Sequence, residues 1–438
     1  MILRNLTING LFGYFDHQIN FEESKVKIIT APNGYGKTVC LKIMENIFNE
    51  NFNYFKRIEF DTIKLDTDQG FIEIEKNKDF TKDRDFHLEI KDSSGNSFEI
   101  TNADLNSISF PLSSIDRFVP YLTRVEKELW LDSRNDDTID INEVVSRYQE
   151  YLPNSSFEVE TPEWLSHFCK SIKVHFIQDQ RLITKENSEY KANRGMQIQH
   201  TETILMYAKE LSRMIANIGF ESSAISQSLD SSFPVRLMTR KYKIDSIDNI
   251  KTNLSIIQKR REELSSYGLI NSNTQLPQLS ILDEIRDEDR KVLTLYIEDT
   301  KSKLEIYNDI YSKINTFATL IKNKNLTNKD MKFSTEKGFF FTLKHDETNT
   351  LPLTHLSSGE QHQIVLLYEL IFKVPQNSLI LIDEPEISLH VAWQKEFLND
   401  LKTIISLQKM SVILATHSPT IVGGNWELVT DLEGELDE

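Results

Sequence analysis

Ala31-Pro32-Asn33-Gly34-Tyr35-Gly36-Lys37-Thr38 follows the apolar run Val26–Thr30 and precedes a helical pattern. The order strand, glycine-bearing loop, helix predicts a phosphate loop inside an α/β fold. In such a loop successive backbone N–H groups wrap the β- and γ-phosphates, and the helix N-terminus adds its partial positive charge. Asn33, Gly34, Tyr35, Gly36, Lys37 and Thr38 are therefore candidate ATP-binding residues. Gly34 and Gly36 let the backbone approach without a Cβ clash. Lys37 supplies a point charge for the β- and γ-phosphates, and Thr38 a hydroxyl for Mg²⁺. Ala31 stands where the usual pattern has glycine. That change costs little unless the position needs a positive φ.

Three further segments lie toward the other end, in the order Leu356–Gln361, Leu379–Glu384 and Thr416–Ser418. Leu379-Ile380-Leu381-Ile382 suits a strand buried on both faces of a parallel sheet. Asp383 would then emerge at the carboxyl end, where open α/β sheets bind ligands, as the metal-holding carboxylate. Glu384 would orient and polarise the attacking water. The plain alternative is a pair of acids capping the helix near Pro385. Leu356-Ser357-Ser358-Gly359-Glu360-Gln361 precedes a predicted helix, Glu360 to Phe372. A serine hydroxyl, a glycine amide and the helix dipole are anion donors. Ser357 or Ser358 as a cap, with Glu360 or Gln361 closing a capping box, explains the same residues locally. The two explanations are compatible. His417 follows the apolar strand Ser411–Ala415, where it would lie near a γ-phosphate.

Taken together, the four segments resemble an ABC-type ATPase of the SMC/Rad50/RecF/OLD branch rather than a transporter cassette. The loop Pro-Asn-Gly-Tyr-Gly-Lys-Thr is similar to the form found in that branch. So are the signature Leu-Ser-Ser-Gly-Glu-Gln and the run Glu384-Pro385-Glu386-Ile387-Ser388-Leu389-His390. Met1–Phe21 has the layout of the branch's opening strands. The resemblance covers residues 1–60 and 333–430. It implies an ATPase head assembled from N- and C-terminal segments, with ATP and Mg²⁺ as ligands. Ser357, Ser358, Gly359, Glu360 and Gln361 would face the nucleotide of a second copy, so an ATP sandwich with at least two subunits is implied. Larger rings would need a further interface. His417 would be the switch histidine. Within the branch, the motif forms resemble the ATPase subunits of two-protein anti-phage systems, PARIS before Septu. A separate effector, a nuclease by expectation, and a phage-encoded trigger protein are the partners such a role implies.

The chain has 438 residues and a formal net charge of −17. That length suits more than one structural region. The acidity argues against a bulk grip on a nucleic-acid backbone, although a local basic groove at Lys241–Lys243, Lys259-Arg260-Arg261 or Lys322–Lys329 is conceivable. DNA thus ranks below protein as a partner. No run approaches 18 apolar residues, and the N-terminus lacks a signal-peptide segment, so a cytoplasmic protein without membrane contact is expected. Cys40 and Cys169 offer neither a disulfide framework nor a zinc hook. Cys40 reads as a core residue rather than a redox sensor.

Five regions are expected along the chain. Residues 1–110 form the first half of the head with an antiparallel β-subdomain, whose turn is at Ser93–Asn96. Residues 111–170 read as a mostly helical insertion interrupted by the acidic loop Asp132–Asp140. Residues 171–235 carry a strand, Lys173–Ile177, followed by Gln178 or Gln180 as the Q-loop metal contact that the resemblance implies, and a helical lobe. In 236–330, Ile247, Ile250, Leu254, Ile257 and Leu264 repeat at helical steps. So do Leu293, Tyr296, Tyr307, Ile310, Ile314, Phe317 and Ile321. With a break at Gly268–Pro277, they suggest a short antiparallel coiled-coil hairpin, its first arm about 24 residues or roughly 36 Å long. Residues 331–438 supply the second half of the head. The 21 residues after His417 are too few for an appended nuclease domain. Two functions remain: a regulatory scaffold ATPase holding an effector, and a RecF/Rad50-like DNA-repair ATPase acting on ends or gaps.

Overall fold

The structure, a computed structural model, describes residues 2–21, 24–77, 86–101, 104, 112, 115, 119, 122–126, 129–132, 137–140, 144, 159–177, 183–185, 200–239, 245–271 and 286–433. The chain forms two compact units. Met1–Gln178, Pro375–Glu386 and Lys409–Glu438 make the first, and Asp179–Val374 with Ile387–Gln408 the second.

The first unit carries an antiparallel sheet in the order β2 (Phe15–Asn20), β1 (Leu3–Leu11), β4 (Thr62–Thr67), β5 (Gly70–Lys76), β6 (His87–Asp92), β7 (Ser97–Thr101). These strands alternate, burying Ile63, Leu65, Ile72, Ile74, Leu88 and Ile90 on one face. Single-faced burial selects that pattern. The turn between β6 and β7 falls at the expected place. Asp92 pins it by accepting from the amides of Ser94 at 2.9 Å and Asn96 at 2.8 Å, an Asx-type turn.

A five-stranded parallel sheet follows the order β11 (Val174–Ile177), β17 (Leu379–Asp383), β18 (Ser411–Ala415), β3 (Val26–Thr30), β19 (Val429–Asp431). Two of its inner strands, β17 and β18, carry continuous apolar runs, with Leu379–Ile382 and Val412–Ala415 all buried. Helices α1 (Lys37–Phe48) and α2 (Glu163–Lys170) contribute Cys40, Leu41, Met44, Ile47, Leu165 and Cys169 to the same core. Burial pushes the Cys40 thiol up to about 12, so it packs as a small hydrophobe and is not poised for redox chemistry.

Among its described residues, the insertion expected to be mostly helical contains a sheet as well as α2. Strands β8 (Leu122–Glu126), β9 (Leu129–Asp132) and β10 (Asp137–Asp140) form an antiparallel sheet in the order β10-β9-β8. The acidic stretch expected as a loop thus contributes to β9 and β10. Trp130 and Ile139 turn inward, 0% and 1% exposed. Leu-Trp-Leu-Asp alternates in burial but opens with three apolar residues, and Asp-Thr-Ile-Asp is only four residues long, so no period of two stands out in either sequence.

In the second unit, short strands β12 (Ile183–Lys185) and β13 (His200–Glu202) precede α3 (Thr203–Thr239), α4 (Ile247–Ser266), α5 (Asp287–Glu305) and α6 (Asn308–Asn323). The expected hairpin takes a different form. Contacts of α4 with α5 and α6 climb together: Asp245 meets Thr294, Asn253 meets Lys301, Arg260 meets Asn308, and Tyr267 meets Asn315. The first arm therefore runs parallel to the second, which is itself two helices. Its 20 residues give about 30 Å. The antiparallel partner is α3, which pairs Asp230 with Lys303 and Arg236 with Asp299. The predicted seam is nonetheless the buried one: Ile250, Leu254 and Ile257 pack on Ile297.

Sheet β14 (Lys329–Ser334), β15 (Gly338–Leu343), β16 (Asp346–Leu351) is antiparallel throughout. It is followed by α7 (Ser358–Tyr368), which widens into a π-turn at Glu369–Lys373, then α8 (Val391–Gln394) and α9 (Phe397–Gln408). The Gln408 amide donates to the Ile371 carbonyl inside that turn. Phe317 packs edge-on against Phe333, Phe339, Tyr368 and Phe372. In the first unit, α10 (Pro419–Val422) ends on left-handed Gly423.

Phe317 is fully buried. Phe317→Ala should cost about 3–5 kcal/mol, read as a fall in the urea midpoint of the second unit. Gly338→Ala should also destabilise that unit, because its φ is +67° and a Cβ there would sit 1.9 Å from the Ala208 carbonyl oxygen. A wild-type midpoint for either variant would contradict this account of the core.

Candidate ATP site

Strand β3 delivers the loop Ala31–Gly36 directly into α1. Gly36 caps that helix at φ +85°, and a Cβ there would fall 2.7 Å from Leu11 Cδ2. Ala31 does not adopt a positive φ, so alanine replaces the usual glycine without backbone strain. No acid occupies the first turn of α1. Its free amides and dipole are left available to an anion. The buried Lys37 ammonium donates to the carbonyls of Ala31 at 2.9 Å and Pro32 at 3.3 Å, and also reaches the His417 imidazole. Burial holds its pKa below the ordinary value, while Glu384, Asp383, Glu386 and Asp431 pull it upward.

Neighbouring strands bring in the acids. Thr38 Oγ1 donates to Asp383 at 2.8 Å to Oδ2 and 3.1 Å to Oδ1. A hydroxyl and a carboxylate at this separation are hard oxygen donors that fit Mg²⁺, and Thr38 and Asp383 would hold it. Glu384 takes a left-handed φ of +41°, with its amide bonded to Ala415 O at 2.9 Å. Non-glycine residues seldom sit there, and such strain collects at working sites. Its Oε1 lies 3.3 Å from His417 Nε2. Lys37, Thr38, Asp383, Glu384 and His417, drawn from three segments of sequence, thus share one end of the parallel sheet. Strand β11 ends beside β17, with Ile177 in register with Ile382. The Q-loop candidates Gln178 and Gln180 lie outside the described residues.

Ser357–Gln361 belongs to the second unit. Ser357 caps α7 and closes a capping box: Glu360 Oε2 accepts from the Ser357 amide at 2.8 Å, and the Ser357 hydroxyl accepts from the Glu360 amide at 3.4 Å. Lys329 grips both Glu360 oxygens, at 2.6 and 2.7 Å. Burial works against that carboxylate, but Lys329 and the Ser357 donors hold its pKa below the ordinary value. Gln361 turns back to the Leu356 carbonyl at 3.0 Å. Ser358 remains exposed and Gly359 partly so, which leaves these two to meet a ligand.

Sequence reasoning missed the loop's supports. His17 Nε2 donates to the Tyr35 carbonyl at 2.8 Å, since a carbonyl can only accept. Burial lowers the His17 pKa, which favours the neutral ring. Phe15 packs on Tyr35 with centroids 4.9 Å apart. The only available signal was an aromatic-rich strand upstream of the loop. Glu386 was read only within the Glu384–His390 run, and Lys329 only within a candidate basic groove.

The sequence profile described as "AAA ATPase domain" (AAA_15) matches residues 1–422. The chain belongs to the AAA_15 ATPase family. Membership makes it an ATP-binding ATPase. The chain is also similar to Protein ea59 of Escherichia phage lambda, 27% identical over 112 residues, which are 26% of this chain. It spans about a fifth of that relative, 21% of its length. Among solved structures, the Pyrococcus furiosus Smc head domain with an extended coiled coil bound to the C-terminal domain of ScpA aligns over 96% of this chain and 91% of its own. That alignment has 12% identity and a TM-score of 0.34. The Thermotoga maritima SMC head domain aligns over 98% and 94%, with 10% identity and a TM-score of 0.32. Among the described residues of this AAA_15 chain, no helix is long and apolar enough to cross a membrane.

Lys37→Ala should weaken ATP binding about 100-fold or more, since a buried charge-assisted contact is lost. Gly36→Ala should do the same through the Leu11 clash and the strained φ. Calorimetric titration with ATP checks both, and retention of wild-type affinity by Lys37→Ala would remove the loop from the site.

Proposed function

We propose that this AAA_15 protein is a regulatory scaffold ATPase that hydrolyses ATP between two copies of itself and thereby controls a separate effector. The observation that carries the catalytic part is the meeting of Glu384 with His417 beside the Thr38–Asp383 pair. In this reading Lys37 and the α1 N-terminus bind the β- and γ-phosphates. Glu384 takes a proton from water as the water oxygen bonds to the γ-phosphorus and the β–γ bridging bond breaks, giving ADP and phosphate. His417 contacts the γ-phosphate region. Mg²⁺, when bound, would neutralise phosphate charge.

The second copy enters through α7. Its capped N-terminus offers Ser358 and Gly359 as anion donors toward the partner's γ-phosphate, in line with the resemblance of Leu356–Gln361 to the ABC signature. Asn33, Gly34 and Tyr35 complete the loop around the phosphates of the same chain.

The wider role is that of an anti-phage ATPase subunit, PARIS-like before Septu-like, which holds and releases a toxic effector in answer to a phage-encoded trigger. Support comes from the form of Glu384–His390 and from the net charge of −17. Two lysines of the basic stretch Lys322–Lys329 are also already engaged. Lys324 is buried against Asp400 at 2.5 Å, and Lys329 is held by Glu360. A DNA groove built on that stretch loses both charges.

Glu384→Gln should bind ATP yet hydrolyse it on the order of 10²-fold more slowly or worse. Normal turnover would sink the assignment. ATP held between copies stabilises the oligomer by linkage, so this variant should grow in size on adding Mg-ATP. A species of constant mass would rule out the sandwich. Co-expressed with the product of its neighbouring gene, the protein should protect cells from phage, and Lys37→Ala should abolish protection. Tight, salt-sensitive DNA binding by the protein alone would favour the repair role instead.

A further inference from the structure

The turn that carries His417 is secured one amide at a time. Thr416 N donates to Ile29 O at 3.1 Å, and Ser418 N donates to Thr416 Oγ1 at 3.0 Å. Between them, His417 N donates to Glu386 Oε1 at 2.6 Å, across 31 residues of sequence. The first two acceptors come from the adjacent strand and from the turn itself. The third is a carboxylate that arrives from the turn after β17, two residues beyond Glu384.

We infer that Glu386 is a positioning residue for ATP hydrolysis, holding the His417 backbone so that its imidazole faces Glu384. The inference rests on the assignment of His417 and Glu384 to the hydrolytic site. The geometry gives Glu386 a distinct job. Glu384 leaves β17 at φ +41° and is tied to β18 through its amide at Ala415 O. Pro385 then directs the chain so that Glu386 reaches the next turn. The ends of β17 and β18 are therefore cross-linked twice, by a backbone bond at 384–415 and a side-chain bond at 386–417. The second link fixes how far the His417 ring stands from Glu384, now 3.3 Å. A charged acceptor makes the stronger kind of bond to a backbone amide, and small displacements of a reacting group carry large rate penalties.

Steady-state ATPase assays on Glu386→Ala, Glu386→Gln, His417→Ala and the double variant Glu386→Ala/His417→Ala test this on the full chain. Glu386→Ala should lower kcat about tenfold or more, with KM for ATP changed less than about twofold and an unchanged melting temperature. Glu386→Gln keeps an amide-accepting oxygen and should recover most of kcat. The double variant should be no slower than His417→Ala, because the two residues act through one geometry. Wild-type kcat in Glu386→Ala, with His417→Ala impaired, would overturn the positioning role alone. So would additive losses in the double variant, or a Glu386→Gln protein as slow as Glu386→Ala. Wild-type kcat in His417→Ala would instead overturn the histidine's assignment, and the role of Glu386 with it. If Glu386→Ala melts early, the comparison of Glu386→Gln with wild type and with His417→Ala decides the matter.

Discussion

One hydroxyl–carboxylate contact, Thr38 Oγ1 to Asp383 Oδ2 at 2.8 Å, joins residues 345 apart in sequence. The first unit is arranged to make it. Thr38 must stand in the first turn of α1, which requires β3 to end at Thr30 and the loop to turn through two left-handed glycines. Asp383 must stand at the carboxyl end of β17, which requires Leu379–Ile382 to be buried on both faces. Strand β18 lies between β17 and β3, so its own end, with His417, falls between loop and carboxylate. Parallel order explains why three distant segments converge: every strand in the sheet presents its carboxyl end on the same edge.

That convergence was legible in the sequence because each part has a local signature. A glycine loop between an apolar run and a helix, and four consecutive apolar residues before two acids, can each be read without knowing the partner. The supports were not legible. His17 acts on a carbonyl and Glu386 on an amide, and backbone groups leave no trace in residue identity. The helices show a different kind of limit. Periodicity placed Ile250, Leu254 and Ile257 correctly on a buried face, but a stripe has no direction. The sequence separation between Tyr267 and Arg286 permits the parallel sense of α4 and α5, since that many residues can reach on the order of 60 Å against roughly 30 Å for α4. A tight turn would have forced the antiparallel form. The short strands β9 and β10 escaped because four residues cannot establish a period of two against a background of acids.

The capping box at Ser357 shows that a local and a functional explanation need not compete. Closing the box consumes the amides of Ser357 and Glu360 and the Glu360 carboxylate, while Lys329 neutralises that carboxylate. What remains at the N-terminus of α7 is Ser358 and Gly359, with the helix dipole no longer facing an uncompensated acid. A Cβ added at Gly359 would meet only Trp393 at 4.0 Å. Internal packing therefore does not demand a glycine there.

Charge sets the remaining constraint on the phosphate site. Lys37 lies in the field of Glu384, Asp383, Glu386 and Asp431, so carboxylates outnumber it before any phosphate enters. Burial, which lowers the Lys37 pKa, outweighs their combined pull. A polyanion brought into this setting meets repulsion that one ammonium and one helix terminus offset only in part. Bound divalent cations are often the largest local charge in such sites, and the paired oxygens of Thr38 and Asp383 are where one would act. A divalent ion held there would offset the site's excess of acid as the nucleotide binds. Glu386 both contributes to the field on Lys37 and accepts the His417 amide at 2.6 Å, so electrostatics and turn geometry meet at the same residue.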